Sequence, residues 1–299
     1  MKKNARAFQA LFLFLTIIFI VSFFQNHKRA FRNQNSSNFF DELLYSPAVC
    51  NTSDSCIDIK REEKSLKPGA LPTQTQSGYC ISVPVLLYHH IQPQSEAIRK
   101  GQTSLSVDNG IFDLQMKYLL ENGYNTINAP TLINALLSRT PLPSKSIIVT
   151  IDDGYKDAFF YAFPILKKYH ITANFMIAAG LIGGSDYMSW DDINQLKQSG
   201  LAYFVNHTLS HFAVSHGASD KIHYEILTGK QQLEQNTGQT VNIFAYPYGY
   251  FNNNAISILQ SDGFSGAFST IPGFLQCDSF IMTLHRNHVG NAPLSAYGL

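Results

Sequence analysis

The sequence predicts an α/β fold, namely a (β/α) barrel, distorted or incomplete, of about seven strands, with an N-terminal transmembrane helix. Two observations support this prediction. From residue 81 onward, short runs rich in β-branched residues alternate with stretches of helical periodicity. Such alternation is typical of parallel strands joined by right-handed crossovers. Near the N-terminus, a basic stretch precedes an uncharged apolar run, which is typical of a membrane segment.

The strand and helix units follow one another in chain order. Gly123, Gly200 and Gly263 each come at the end of a predicted helix, where a left-handed cap is favoured. The active site of a (β/α) barrel lies at the carboxyl ends of its strands, so polar residues just after a strand are candidates for chemistry. Predicted strands cover residues 83–88, 124–127, 146–151, 173–178, 201–206, 241–246 and 264–269, and predicted helices cover residues 111–123, 131–138, 158–169, 190–200, 219–236 and 255–263.

The N-terminal region divides into two parts. Residues 7–24 carry no charge, and these 18 residues are just enough to span a bilayer as a helix. A cleavable signal peptide is the alternative, but V-S-F-F-Q-N-H offers no small-residue cleavage site. We therefore predict an uncleaved signal anchor over residues 1–25. Residues 26–80 are polar and without periodicity, which predicts a partly disordered juxtamembrane stalk, and residues 81–299 form the folded domain.

The composition excludes one class of function and leaves the cysteines open. A net charge of +1 with no basic stripe argues against nucleic-acid binding. None of Cys50, Cys56, Cys80 and Cys277 lies in a C-x-x-C pair, so a zinc ribbon is not predicted. If the domain lies outside the cytoplasm, Cys50–Cys56 and Cys80–Cys277 are candidate disulfides among three connectivities. Free buried thiols are the alternative.

Two polar motifs follow two of the predicted strands. Asp152 and Asp153 come after strand 146–151, and H-T-L-S-H, from His207 to His211, comes after strand 201–206. Two histidines and one carboxylate make three protein ligands and leave a position for water, as in catalytic zinc sites. The second carboxylate can then accept the proton of that water.

Each motif also has a simpler reading. D-D-G alone is typical of a polar turn, and H-x-x-x-H alone is often structural. Two histidines and a carboxylate also bind iron in oxygenases. We favour hydrolysis because of the additional aspartate beside the ligand.

Four motifs carry a resemblance to a known family. They are V-T-I-D-D-G-Y, N-H-T-L-S-H, F-A-Y-P-Y-G at residues 244–249 and M-S-W-D-D-I-N-Q-L at residues 188–196. Over residues 81–290 the chain resembles the polysaccharide deacetylases of carbohydrate esterase family 4, or NodB-homology type. The resemblance implies that residues 81–299 are a polysaccharide deacetylase domain. It implies a divalent metal, zinc in first place and nickel, cobalt or iron as alternatives. Its site would comprise Asp152 as general base, Asp153, His207 and His211 as metal ligands, and the backbone N–H of Tyr248 as an oxyanion donor.

The departures from the family pattern concern the base and the acid. Ala245 stands where many members have an arginine, and T-L-H at residues 283–285 only loosely matches the motif that supplies the acid. However, V-P-V-L-L-Y-H-H-I resembles the opening of the biofilm poly-N-acetylglucosamine deacetylases, in which a histidine after the first strand replaces that acid. This resemblance implies His89 as the acid, with His285 and His90 as alternatives. L-H-R-N-H-V resembles a late strand of that subgroup, with Arg286 as the matching residue.

Together, the predicted signal anchor and the resemblance imply a membrane-anchored hydrolase. We expect a metal-dependent enzyme that removes N-acetyl groups from an extracellular polysaccharide, with poly-β-1,6-N-acetylglucosamine as the first choice. Peptidoglycan, chitin oligomers and O-acetylated xylan remain alternatives, as does a catalytically inactive glycan-binding homologue. The expected partners are the acetylated polysaccharide, the membrane and a polysaccharide synthase complex, and the expected location is the cell membrane, with a single span and the domain outside.

Overall fold

The computed structural model describes residues 78–299. The predicted signal anchor, the predicted stalk up to residue 77 and the candidate pair Cys50–Cys56 lie outside the described residues. Within residues 78–299, every helix is too short or too polar to cross a membrane.

The described part of the chain contains twelve strands and seven α-helices. The strands are β1 (Cys80–Ser82), β2 (Val85–Tyr88), β3 (His90–Ile91), β4 (Ser106–Val107), β5 (Asn125–Thr126), β6 (Ser146–Asp153), β7 (Ala173–Ile177), β8 (Ala202–Asn206), β9 (Ile243–Ala245), β10 (Gly266–Phe268), β11 (Leu275–Cys277) and β12 (Asn287–His288). The helices are α1 (Gln94–Lys100), α2 (Asn109–Glu121), α3 (Ala129–Ser138), α4 (Phe163–Tyr169), α5 (Trp190–Gln198), α6 (Ser219–Thr237) and α7 (Asn253–Ser261).

A parallel sheet forms the centre of the fold. Its strand order is β10-β9-β8-β7-β6-β2-β12, and β5 also pairs with β6. The strand β6 is buried along its whole length, which explains its nearly continuous apolar sequence, since strands covered on both faces need no polar alternation. The predicted α/β class and the parallel sheet of about seven strands are therefore confirmed.

Residues 284–289 connect the two edges of this sheet. The N–H of Leu284 donates to the carbonyl of Ala267 in β10 at 2.8 Å, and the N–H of Val289 donates to the carbonyl of Leu87 in β2 at 3.1 Å. Only a short bridge joins this segment to β10, and β12 has two residues. The sheet is thus a curled half-barrel rather than a regular eight-stranded barrel.

The alternation of side chains along β6 separates two core layers. Ile147, Val149 and Ile151 pack outward with helices α2, α4 and α5. Ile148 faces the opposite side, where it packs with residues of β7, β8, β9 and helix α3. Because side chains two apart share a face of a strand, Thr150 and Asp152 continue the inner row of Ile148. The inner row therefore ends in a carboxylate.

Several local predictions can be compared with the structure. Gly123, Gly200 and Gly263 have positive φ values of 69°, 73° and 79°, so the predicted left-handed helix ends are confirmed. The candidate disulfide Cys80–Cys277 is present and joins β1 to β11. The predicted helix 158–169 is confirmed, although its first part, Ala158–Ala162, is π-helical and the α-helix α4 begins at Phe163. The segment β3–α1–β4 was not predicted, since its strands have only two residues each.

Candidate metal centre and active site

The strand β6 ends in two carboxylates with different backbone geometry. Asp152 continues the extended strand, whereas Asp153 has a φ of 73° and is followed by Gly154 with a φ of 83°. A positive φ is unusual for a residue with a side chain, and such conformations concentrate at functional sites. This turn directs the two adjacent side chains to different partners.

Asp153 lies against the two histidines of the H-T-L-S-H motif. Its Oδ1 is 3.3 Å from Nε2 of His207 and 3.2 Å from Nε2 of His211. His207 directly follows β8, which pairs with β7, and β7 pairs with β6. Among residues 78–299, this is the one group of three side chains whose donor atoms converge as metal ligands do. The structure thus brings the three predicted ligands together.

The chemistry of these donor atoms fits a cation. Nδ1 of His207 lies 2.8 Å from the carbonyl oxygen of Ala245, and a carbonyl only accepts, so Nδ1 carries the hydrogen. The Nε2 atom of neutral His207 then presents a lone pair to the carboxylate. In the described part of the chain, the buried Oδ1 of Asp153 has no aligned hydrogen-bond donor. Converging lone pairs repel one another unless a cation lies between them, and the carbonyl contact is the support that metal-bound histidines usually have.

The electrostatics of Asp153 also suit a ligand. Burial raises the pKa of its carboxyl, but His207 and His211 in their protonated forms outweigh this effect, so the pKa lies well below its usual range. The carboxylate is therefore ionised at neutral pH, as metal binding requires.

Asp152 has a different partner, the buried guanidinium of Arg286. Nη1 of Arg286 donates to Oδ1 of Asp152 at 2.7 Å and to Oγ1 of Thr150 at 3.3 Å, and Nε donates to the carbonyl of Ser269 at 2.9 Å. Arg286 is 0% exposed. Arg286 lies beside Asp152 and thus supplies the guanidinium that is missing at Ala245, where many members of the family have an arginine. These three contacts anchor the guanidinium, and its hydrogen bond to Oδ1 orients the carboxylate of Asp152.

The three candidate acids lie in different surroundings. His89 directly follows β2, where Tyr88 pairs with Ile151, so it lies next to Asp152 at the ends of the paired strands. Burial lowers the pKa of His89, while the negative charges of Asp152 and Asp153 raise it. His90 points away and its Nδ1 contacts Oδ2 of Asp157 at 2.6 Å. The ring of His285 stacks on Phe280 at a centroid distance of 4.7 Å. Of the three, the geometry therefore favours His89.

Tyr248 lies beside the second histidine. It has a φ of 60° inside the turn Pro247–Gly249, and its ring packs edge-on against His211 at 4.4 Å between centroids. The next residue must be glycine, because its φ is 72° and a Cβ there would lie 1.9 Å from Oγ1 of Thr270. The turn thus holds the backbone of Tyr248 at the rim of the site.

The sequence reasoning missed three aromatic residues around the site. The ring of His288 stacks on His89 at 5.8 Å with an interplanar angle of 7°. Burial raises the pKa of Tyr155, with further contributions from the charge of Asp153, from Tyr187 and from a hydrogen bond to Asp153. Tyr187 stacks on Tyr155 at 5.2 Å. The position of Tyr155 directly after D-D-G was the one available signal for this group.

Comparisons with known proteins agree with this arrangement. The sequence profile of the polysaccharide deacetylase family matches residues 139–267. The Bacillus subtilis (strain 168) protein YxkH, named as a candidate polysaccharide deacetylase, is 28% identical over 208 residues, which are 69% of this chain and 71% of that protein. The poly-β-1,6-N-acetyl-D-glucosamine N-deacetylase of Escherichia coli (strain K12) is 21% identical over 248 residues, and the match covers 69% of this chain but 36% of that protein.

A solved structure shows the same fold. The Streptococcus pyogenes deacetylase PplD, determined in complex with acetate, superimposes with a TM-score of 0.67 at 25% identity, covering 71% of this chain and 93% of that one. The residues that match the family profile include the D-D-G motif, both histidines of the metal centre and the turn at Tyr248. The resemblance noted in the sequence is confirmed: the chain contains a polysaccharide deacetylase domain of the NodB-homology type, as in carbohydrate esterase family 4.

Proposed function

We propose that this protein is a metal-dependent N-deacetylase of an extracellular polysaccharide, with poly-β-1,6-N-acetylglucosamine as its substrate. The observation that carries the proposal is the pairing of two adjacent carboxylates with different partners. Asp153 converges with His207 and His211, while Asp152 is held by Arg286. Several relatives are named poly-β-1,6-N-acetyl-D-glucosamine N-deacetylases, which supports this substrate over peptidoglycan, chitin oligomers or xylan.

Asp153, His207 and His211 would hold the metal, with zinc as the expected ion. Their donor set of one carboxylate and two imidazoles suits zinc and leaves a position for water. When bound, the ion would lower the pKa of that water and polarise the acetamide carbonyl.

Asp152 would act as the general base. Arg286 engages its Oδ1, so Oδ2 is the atom that accepts the proton of the attacking water. The fixed orientation of the carboxylate lowers the entropic cost of this transfer. The guanidinium also keeps a positive charge beside a carboxylate that must start the reaction ionised.

His89 would donate a proton to the leaving amine. Burial lowers the pKa of His89, so the protonated imidazole is a stronger acid than an exposed histidine. The parallel ring of His288 limits the rotation of this imidazole. Tyr248 would supply its backbone N–H to the developing oxyanion, since the turn Pro247–Gly249 places this backbone next to His211.

The location is a second part of the proposal. A disulfide joins Cys80 to Cys277, and disulfides persist outside the cytoplasm. With the apolar run at residues 7–24, this supports a single-pass anchor and an extracellular domain, beside a polysaccharide synthase complex. Protease added to intact cells should degrade the domain, and full protection of the domain would contradict this location.

The decisive test measures acetate and free amine after incubating the purified zinc-loaded protein with N-acetylglucosamine polymers of β-1,6 and β-1,4 linkage. We expect release from the β-1,6 polymer and a loss of activity in Asp152→Asn of about three orders of magnitude or more, as for other essential acid–base groups. Peptidoglycan and acetylated xylan serve as further substrates. If no acetylated glycan yields acetate, the protein is not a deacetylase, and binding without hydrolysis would identify a glycan-binding homologue.

A further inference from the structure

A cavity lies between α1 and the turn that follows β6. Its volume is about 340 Å³, within the range of sites that bind small molecules. We call it the α1 cavity. Its lining includes His90, Glu96, Lys100, Asp157, Phe160 and Tyr161.

One aromatic ring separates this cavity from the metal centre. Tyr155 stacks on His90 at 3.8 Å between ring centroids, with an interplanar angle of 22°. The same tyrosine comes two residues after the proposed metal ligand Asp153. A ligand in the α1 cavity would therefore lie on the His90 side of this pair of rings, and Asp153 lies beyond Tyr155.

The floor of the cavity is rigid and polar. His90 is buried, and its Nδ1 is 2.6 Å from Oδ2 of Asp157. The other oxygen of Asp157 accepts from the backbone N–H of Ile91 at 3.1 Å. Buried polar groups that are satisfied in this way order their surroundings, so the cavity has a defined shape without a ligand.

The walls carry nearly balanced charge. Glu96 forms an ion pair of 2.8 Å with Lys100 and accepts a hydrogen bond from Tyr161 at 3.3 Å. Lys156 and Asp186 are both exposed at the rim. Opposed charges of this kind do not favour an anion or a cation, but they supply many donors and acceptors for the hydroxyl groups of a neutral ligand.

An exposed aromatic ring completes the cavity. Phe160 is 58% exposed and lies in the π-helical turn Ala158–Ala162. Such turns occur frequently at functional sites. An accessible aromatic face beside hydrogen-bonding side chains is the combination that binds a pyranose ring, which has apolar C–H faces and a polar edge.

We propose that the α1 cavity binds the sugar unit next to the one that is deacetylated, with Phe160 stacking on its face and the polar walls binding its hydroxyl groups. This inference rests on the proposed deacetylase function and adds a binding site for the polymer. It explains why a turn with a π-helical bulge and an exposed phenylalanine directly follows the D-D-G strand.

The test compares β-1,6-linked N-acetylglucosamine oligomers from dimer to pentamer with the full-length zinc-loaded protein. We expect kcat/KM to rise with oligomer length. In Phe160→Ala, the ratio of kcat/KM for the pentamer to that for the dimer should fall about tenfold, a change of about 1.4 kcal/mol. Phe160→Tyr keeps the aromatic face and should retain the ratio. Tyr224→Ala removes a tyrosine that is 55% exposed on α6, outside both sites, and should also retain it.

Binding separates this proposal from the proposed catalytic function. In an Asp152→Asn background, the Kd for the pentamer should rise about tenfold when Phe160→Ala is added, by the same loss of stacking. That measurement applies even if the wild-type protein releases no acetate from any oligomer. The α1 cavity is not a sugar site if Phe160→Ala leaves the pentamer-to-dimer ratio of kcat/KM unchanged, or if Tyr224→Ala lowers this ratio equally. The same conclusion follows if Phe160→Ala leaves the pentamer affinity unchanged, or if no oligomer binds.

Discussion

Nη1 of Arg286 donates a hydrogen bond of 2.7 Å to Oδ1 of Asp152, although 134 residues separate them in the chain. Both side chains are buried, so each charge is compensated by the other away from water. Removing one partner of a buried pair leaves an uncompensated charge, which costs about 3–5 kcal/mol. This relationship allows a double-mutant test of the proposed base.

Replacing the arginine should therefore affect both stability and activity. We expect Arg286→Met to destabilise the fold by about 3–5 kcal/mol, and the added change Asp152→Asn to recover part of this loss. Arg286→Lys keeps the charge but cannot make all three contacts, so kcat should fall about 100-fold through misplacement of the base. Urea denaturation and steady-state kinetics measure these effects, and additive destabilisation in the double variant would show that the pair is not coupled.

The identity of the acid can be tested through the leaving group. An amine must be protonated as it leaves, whereas an activated aryl oxide needs no acid. We expect His89→Gln to lower hydrolysis of the N-acetyl substrate about 100-fold or more but to lower hydrolysis of an aryl acetate much less. His285→Gln should change neither rate, because this ring packs on Phe280. Equal losses on both substrates in His89→Gln would contradict its role as acid.

The metal site predicts a stability change on loading. Zinc at 100 times its Kd should stabilise the wild-type fold by about 2.7 kcal/mol, measured as a shift in unfolding midpoint. Asp153→Asn removes the charged ligand and should abolish most of the shift. Asp152→Asn is the matched control and should keep it, because Asp152 pairs with Arg286. Similar shifts in both variants would mean that Asp153 is not a ligand.

Acid should destabilise the metal-free protein before its carboxylates titrate. Burial lowers the pKa of His89 and His285, so below about pH 6.5 the unfolded chain binds protons that the folded protein does not. The free energy of unfolding should therefore fall as the pH is lowered from about 7.5 to 5.5. His285→Gln should reduce this slope. A free energy of unfolding that is constant or greater at the lower pH would contradict the prediction.

The disulfide between Cys80 and Cys277 should contribute strongly to stability. It closes a loop with a sequence separation of 197 residues, and bridges across long loops typically stabilise by about 2–5 kcal/mol. The variant Cys80→Ser/Cys277→Ser should lose this amount in urea denaturation under oxidising conditions. A reductant should lower the stability of the wild-type protein but not that of the variant. An unchanged midpoint in the variant would show that the bridge does not stabilise the fold.

The sequence reasoning recovered the features that depend on local order. The alternation of strands and helices predicted parallel pairing, and parallel pairing requires that strand ends meet at one edge of the sheet. Asp153 and His207 could therefore be expected near each other, since each ends a strand of the same sheet. The β3–α1–β4 segment and the α1 cavity could not be expected, because two-residue strands leave no periodicity to detect.

By itself, the sequence determined the fold class, the strands that end in polar residues and the three histidines that are candidates for the acid. Only the tertiary structure decided which aspartate meets the histidines and which meets Arg286, because these partners come from parts of the chain far from β6. It also decided that His89, rather than His90, faces the carboxylates. Successive side chains of an extended segment point to opposite sides, and which side becomes the active site depends on strands far away in the chain.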